Sequence, residues 1–130
     1  MIPKILIVED NPVIARMWQG KLIKADFEVR IAPDGQMARQ TMQEWQPDVI
    51  LLDVILPDTD GLSLCREWRS ESKYNDVKII FVSAITSRHD IQAAKIAGAN
   101  GYLPKSPTTA SQLVGTISKH LKLPQQELAI

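Results

Sequence analysis

Polar side chains that could bind a metal ion and a phosphate follow the short apolar runs of this 130-residue sequence. In order along the chain they are Glu9, Asp10, Asp53, Ser83 and Lys105. Carboxylates held close together repel one another, so each favours its protonated form unless a cation lies between them. Oxygen ligands suit a hard divalent ion, and Mg²⁺ binds through one or two carboxylates while it keeps several waters.

The same residues could act on a phosphate group. A bound divalent ion would bridge to phosphate oxygens, the Lys105 ammonium would add a second positive charge, and the Ser83 hydroxyl would donate a hydrogen bond. One carboxylate could then attack phosphorus, as aspartates do in enzymes that form an aspartyl phosphate. Taken singly, each residue has a plainer interpretation, since an aspartate after a strand is usually a turn or cap residue. The five together indicate phosphate chemistry if the fold brings them to one place.

The hydrophobic pattern predicts five strands that alternate with five helices. Strands are expected where short apolar or β-branched runs occur, at Lys4–Val8, Glu28–Ala32, Val49–Leu52, Val77–Val82 and around Tyr102–Leu103. This alternation implies parallel βαβ units with right-handed crossovers, and the apolar first, third and fourth runs fit a sheet covered on both faces. The predicted fold is therefore an α/β doubly wound three-layer sandwich. In such sheets ligands bind beyond the carboxyl ends of the strands, where the five polar residues would lie.

Helix boundary signals stand between these runs. A second helix is expected over Gly35–Trp45, with Ala38 and Met42 on its apolar side. The expected boundary residues of the other helices are Asn11 with Pro12 for the first, Asp60 for the third, Ser87 through Asp90 with Gly98 for the fourth, and Thr109 with Gln112 for the fifth.

Composition restricts the class of protein. Fifteen basic and fifteen acidic residues give zero net charge, and 45% of residues are hydrophobic, which favours one compact domain over a disordered chain or a strongly basic nucleic-acid binder. No apolar run approaches the roughly 20 residues needed to span a bilayer. The single cysteine, Cys65, cannot form an internal disulfide, which favours a reducing compartment. We therefore expect a cytoplasmic domain that binds neither a membrane nor, directly, nucleic acid.

Four segments of the sequence resemble the response-regulator receiver domain of two-component signalling. They are Ile7–Asn11, Asp53–Gly61, Phe81–Ala84 and Gly98–Lys105. The second segment fits the family pattern of a phosphoacceptor aspartate, two residues, Met or Leu, Pro, two residues, Asp or Asn, and Gly. The resemblance implies a flavodoxin-like five-stranded parallel sheet of strand order 2-1-3-4-5. It also implies a receiver domain over residues 1–123, followed by a tail or the start of a linker over residues 124–130.

The resemblance assigns a role to each polar residue. Asp53 would accept a phosphoryl group from a histidine kinase or a histidine phosphotransfer protein, and Ser83 and Lys105 would contact the phosphoryl oxygens. The expected ligands of Mg²⁺, or of Mn²⁺ in its place, are Glu9, Asp10, Asp53 and the backbone carbonyl of Ile55. The chain would be a phosphoacceptor signalling domain that catalyses only its own phosphotransfer and autodephosphorylation.

The resemblance also implies a switch. Tyr102 matches the family's switch aromatic, which turns inward when Ser83 moves toward the phosphoryl group; the alternative is a half-buried strand aromatic. The face formed by helix 4, strand 5 and helix 5 would report the phosphorylation state to an unknown downstream effector or an attached output domain.

The first helix offers two sets of apolar residues. We expect Met17, Leu22 and Ala25 to supply its core side, which leaves Ile14 and Trp18 toward its margin. In the resembled family this helix docks the phosphodonor, so Ile14 and Trp18 are candidates for partner contact. The alternative is that Trp18 is a peripheral core residue.

Two features depart from the family. Many members have a proline directly after the lysine, with a cis bond, whereas this chain reads Lys105-Ser106-Pro107. Since a cis bond before a non-proline residue costs about 2.5–4 kcal/mol, we expect a trans Lys105–Ser106 bond with a rearranged loop, or a strained cis bond. The residues two after Asp53 and two after Ser83 are aliphatic, Ile55 and Ile85, and cannot orient a water molecule. We therefore expect slow self-dephosphorylation.

Other functions fit less well. A phosphatase would want a second aspartate where Ile55 stands, and a flavin carrier would want a Ser/Thr/Gly-rich phosphate loop where Glu9 and Asp10 stand. The alternative that stays open is a pseudo-receiver, which binds partners without phosphorylation.

Overall fold

The computed structural model describes residues 2–122, which form a five-stranded parallel sheet with helices on both faces. The strands are β1 (Lys4–Val8), β2 (Glu28–Ala32), β3 (Val49–Leu52), β4 (Lys78–Ser83) and β5 (Gly101–Pro104). The helices are α1 (Pro12–Lys24), α2 (Gly35–Glu44), α3 (Gly61–Arg69), α4 (Arg88–Ile96) and α5 (Ala110–Leu121), with a 3₁₀ turn over Ser72–Tyr74. The predicted tail over residues 124–130 lies outside the described residues.

The strand order is β2-β1-β3-β4-β5, and every neighbouring pair is parallel. The predicted doubly wound fold and its strand order are therefore confirmed. Strands β1, β3 and β4 lie inside the sheet and are almost wholly buried, as their continuous apolar sequences indicate. The boundaries differ little from the predicted ones: β4 begins and ends one residue later, and α2 ends one residue earlier.

Two apolar cores lie on opposite faces of the sheet. Alternate residues of β1 point to different cores, with Leu6 and Val8 in one and Ile5 and Ile7 in the other, because successive side chains of a strand face opposite ways. Helices α2, α3 and α4 cover the first core, and α1 and α5 cover the second. Within residues 2–122 no helix is long and apolar enough to cross a membrane.

The predicted helix caps form. The Asn11 side chain accepts hydrogen bonds from the backbone N–H groups at the start of α1, ahead of Pro12. Thr109 and Gln112 form a complete capping box at α5. Gly98 follows the C-cap of α4 with a φ of 104°, a left-handed conformation that glycine adopts without strain.

The predicted packing of α1 is right for Leu22, which is buried, and wrong for Met17 and Trp18. Trp18 is only 8% exposed and packs in the core between α1, the sheet and α5, whereas Met17 is 54% exposed. The buried stripe of α1 is Ala15, Trp18 and Leu22. Leu22 lies four residues after Trp18, so the two share the side of α1 that packs against the sheet and α5. Trp18 is thus a core residue, which was the alternative to partner contact, while Ile14 is half-buried against the same core.

Candidate functional site

Three carboxylates converge at the carboxyl edge of the sheet. Val8 of β1 pairs with Leu52 of β3, so the residues that follow them, Glu9 and Asp53, lie side by side. One carboxylate oxygen from each of Glu9, Asp10 and Asp53 lies within 4.8 Å of the others. Glu9 and Asp53 are buried, whereas Asp10 is exposed. The structure therefore brings together the three acidic residues that the sequence singled out.

Lys105 reaches into this acidic cluster. Its Nζ lies 2.6 Å from Asp53 Oδ2 and 2.7 Å from Glu9 Oε1. Burial alone would lower the pKa of Lys105, but its contacts with the carboxylates of Asp53 and Glu9 outweigh burial and raise it. The ammonium group therefore stays charged and offsets part of the negative charge of the cluster.

Glu9 has the features of a metal ligand. Its Oε2 accepts a hydrogen bond of 3.0 Å from the Asn11 backbone. Its Oε1 is buried and makes no directed hydrogen bond within the described part of the chain, although Lys105 Nζ lies close to it. Burial raises the pKa of Glu9, partly offset by Lys105 and Asn11. A buried carboxylate oxygen with spare acceptor capacity, next to two more carboxylates, fits a hard cation such as Mg²⁺.

Ile55 lies in the turn after β3 and is 62% exposed. Its backbone N–H lies 3.4 Å from Asp53 Oδ1, and Ile55 pairs with Asp60 across the turn. Its carbonyl remains a predicted metal ligand.

The two predicted switch residues contact the same backbone segment. Ser83 is buried, and its hydroxyl oxygen accepts a hydrogen bond of 3.1 Å from the Ile85 N–H. The Tyr102 hydroxyl donates to the Ile85 carbonyl, and its ring stacks on Phe81 with the ring centres 5.9 Å apart. Burial raises the pKa of Tyr102. The half-buried Tyr102 is therefore linked through Ile85 to the residue expected to contact the phosphoryl group.

The loop after β5 shows the geometry of the peptide bond between Lys105 and Ser106. Among the described residues the cis peptide bond is the one between Ser106 and Pro107, so the Lys105–Ser106 bond is trans. The trans bond agrees with the first of the two predicted outcomes. The Lys105 backbone N–H donates to the Ser83 carbonyl at 2.9 Å, which keeps the lysine beside β4 and lets its ammonium reach the cluster.

Two residues of the β3–α3 turn bear on the site in ways that the sequence did not show. A Cβ on Gly61 would lie 2.1 Å from the Asp53 carbonyl oxygen, so the last residue of the matched segment must be glycine for steric reasons. Asp58, at a position that the family pattern leaves free, binds the start of α2. Asp58 contacts residues 22 and 23 positions earlier in the chain, so no local sequence pattern predicts the contact. Gly61, in contrast, is part of the family pattern.

Residues 5–118 match the family model of the response regulator receiver domain. The chain belongs to this family. The transcriptional regulatory protein BaeR of Escherichia coli is 37% identical to this receiver domain over 128 residues, which are 97% of this chain and 52% of BaeR. The chain spans about half the length of the curated relatives it matches.

Solved receiver structures have the same fold. The chemotaxis protein CheY4 of Vibrio cholerae superimposes with a TM-score of 0.86 at 31% identity, over 92% of this chain and 98% of that one. The BeF3-activated N-terminal receiver domain of RstA from Klebsiella pneumoniae gives a TM-score of 0.85 at 30% identity, again over 92% of this chain and 98% of that one. This chain is therefore a receiver domain of two-component response regulators, and its role is in signalling.

Proposed function

We propose that this receiver domain is a phosphorylation-controlled switch with Asp53 as its phosphoacceptor. The observation that carries the proposal is the position of Lys105 Nζ, 2.6 Å from Asp53 Oδ2 inside a cluster of three carboxylates. A cation in contact with a buried aspartate is arranged to bind an oxygen of a phosphoryl group that joins that aspartate.

Mg²⁺ is the proposed cofactor, and Mn²⁺ would serve in its place. Its ligands in this proposal are Glu9, Asp10, Asp53 and the Ile55 carbonyl. When bound, the ion neutralises the carboxylates and polarises the phosphoryl group that is being transferred. Asp10 is exposed, so the cluster is open on the side from which a phosphodonor would approach.

The proposed phosphodonor is the phosphohistidine of a histidine kinase or of a histidine phosphotransfer protein. An oxygen of the Asp53 carboxylate attacks phosphorus and forms an O–P bond, while the P–N bond to the imidazole breaks and its electron pair stays on nitrogen. Lys105 then pairs with one phosphoryl oxygen, and the Ser83 hydroxyl donates to another. Ile14, half-buried on α1, remains the residue that we propose for contact with the donor.

Phosphorylation would change the hydrogen bonds that Ser83 and Tyr102 make with the Ile85 backbone. If the Ser83 hydroxyl moves to the phosphoryl group, it gives up the hydrogen bond from the Ile85 N–H. The Tyr102 hydroxyl, which donates to the Ile85 carbonyl, is then free to reorient. A change of this kind alters the face formed by α4, β5 and α5, which in our proposal contacts a downstream effector or an attached output domain.

We assign the receiver to residues 1–123, the tail or the start of a linker to residues 124–130, and the protein to the cytoplasm.

The test is a measurement of intact mass after incubation with Mg²⁺ and acetyl phosphate, or with a phosphorylated histidine kinase. We expect the wild type to gain one phosphoryl group, and Asp53→Ala or EDTA to abolish the gain. Asp76→Ala is the matched control, because Asp76 is exposed in the turn before β4, at the opposite edge of the sheet. No gain from either donor would contradict the proposal and favour a pseudo-receiver.

A further inference from the structure

Asp58 joins the turn after β3 to the first turn of α2. Its Oδ1 accepts a hydrogen bond of 2.8 Å from the Gly35 backbone N–H, and its Oδ2 accepts one of 2.9 Å from the Gln36 N–H. The hydrogen bond from Gly35, followed by the one from Gln36, lowers the pKa of Asp58 although the carboxylate is exposed. One side chain thus satisfies two of the unpaired donors of a helix that is remote in sequence.

The contact between the turn and the helix is close. A Cβ on Gly35 would lie 2.4 Å from Thr59 Cγ2 and 3.2 Å from Asp58 Oδ1. Glycine is therefore required at the start of α2 by the space that the turn occupies. The local cap of α2 is a different residue, Asp34, which accepts a hydrogen bond of 2.8 Å from the Met37 N–H. Asp58 is thus not needed as the N-cap and instead binds the turn to the helix.

The turn that Asp58 anchors carries the expected metal ligands at its beginning. The first residues of this turn after β3 include Asp53 and Ile55. The turn is closed by the pairing of Ile55 with Asp60 and by the hydrogen bond of 2.7 Å from the Gly61 N–H to the Val54 carbonyl. These contacts fix the turn to itself and to α3. The contacts of Asp58 fix it to α2.

The helix that Asp58 binds is connected to the other side of the acidic cluster. The α2 helix begins three residues after β2 ends, and Ala32, the last residue of β2, accepts a hydrogen bond of 3.1 Å from the Glu9 N–H through its carbonyl. The Asp58 contact therefore links the turn that bears Asp53 and Ile55 to the segment that supports Glu9.

We propose that Asp58 is a positioning residue for the metal site, which holds the turn over residues 53–60 against α2 and so keeps the segment that bears Asp53 and Ile55 beside Glu9. This role rests on the proposed function, because it requires that the acidic cluster binds a divalent cation.

The test compares Mn²⁺ binding by the full chain and its variants, measured from the electron paramagnetic resonance signal of free Mn²⁺. Loss of a supporting contact around a metal ligand typically weakens metal binding, and we expect Asp58→Ala to raise the Kd for Mn²⁺ about tenfold. Asp58→Asn should give an intermediate Kd, because the amide oxygen can still accept from Gly35 or Gln36. Thermal unfolding without metal shows whether each variant is folded.

The matched control is Asp34→Ala. It removes a cap from the same helix, whose hydrogen bond is to Met37 within α2, so it should lower the melting temperature and leave the Kd for Mn²⁺ unchanged. A positioning role is contradicted if Asp58→Ala binds Mn²⁺ as the wild type does, or if Asp34→Ala weakens binding equally. Failure of the wild type to bind Mn²⁺ would contradict the proposed function itself, and the positioning role with it.

Discussion

Lys105 Nζ lies 2.6 Å from Asp53 Oδ2 at the carboxyl edge of the sheet, where the aspartate follows β3 and the lysine follows β5. The same nitrogen lies 2.7 Å from Glu9 Oε1, so a single ammonium group compensates two buried carboxylates. Removal of the ammonium would leave both carboxylates desolvated without a counter-ion. The lysine therefore stabilises the folded domain in addition to the role that we propose for it in phosphoryl binding.

Lys105→Ala should lower the free energy of unfolding by about 2 kcal/mol at pH 7 without divalent cation, less than for a fully buried pair because the lysine side chain is 20% exposed. Saturating Mg²⁺ should recover part of the loss, since it supplies positive charge to the same carboxylates. Urea unfolding with EDTA and then with Mg²⁺ measures both effects. Lys95→Ala, at an exposed site on α4, is the control. Equal loss in the two variants would refute a special role for Lys105.

Ionisation of Asp60 should make the free energy of unfolding vary with pH in the acidic range. The hydrogen bond from the Ser63 N–H lowers the pKa of Asp60 below its ordinary value of 3.8. Because the folded pKa is lowered, the stabilisation is present above pH 3.8 and is lost as the pH falls through the folded pKa. Asp60→Ala should lower the free energy of unfolding by about 1 kcal/mol at pH 7, and this difference should shrink below pH 3.8.

Asp60→Asn is the matched control for that effect. An asparagine still accepts a hydrogen bond from Ser63 but does not titrate, so its contribution should not vary with pH. Urea unfolding of the wild type and both variants between pH 2.5 and pH 7 makes the comparison. The interpretation fails if the difference in the free energy of unfolding between the wild type and Asp60→Ala stays constant across this pH range.

Ile55 and Ile85 should make the phosphorylated state long-lived, because neither side chain can orient an attacking water. Ile55 is the cleaner position to change, since it is exposed and contributes little to the core. Ile55→Asn should speed hydrolysis of the aspartyl phosphate about tenfold, while Ile55→Val should not. The measurement is loss of radiolabel after removal of the donor. A wild-type lifetime of seconds would contradict the expectation of slow self-dephosphorylation.

Trp18→Ala should destabilise the domain by about 3 kcal/mol, because it removes a large side chain from the core beneath α1. Met17→Ala, one residue earlier on the exposed side of the helix, should change the free energy of unfolding by less than about 0.5 kcal/mol. Phosphotransfer per folded molecule should be the same in Trp18→Ala and the wild type. A loss of phosphotransfer beyond the loss of folded protein would instead support Trp18 as a docking residue.

The sequence was sufficient to predict the fold and the composition of the acidic cluster. The runs at Lys4–Val8, Glu28–Ala32 and Val49–Leu52 match the observed strands residue for residue. The first and third are continuously apolar because they are buried on both faces, whereas Glu28–Ala32 is an edge strand in which polar and apolar residues alternate. Parallel strands in one sheet end at the same edge, so the polar residues that follow them had to meet there.

The tertiary structure alone decided three relationships. On α1, Met17 and Trp18 are adjacent apolar residues on different sides of the helix, and packing against the sheet and α5 buries Trp18. Asp58 binds Gly35 and Gln36 across more than 20 residues of chain, a pairing that depends on how the turn and α2 approach each other. Lys105 reaches Asp53 although a serine follows it. Local sequence fixes what each element can bury or donate, but distances between remote side chains follow only from how the elements pack.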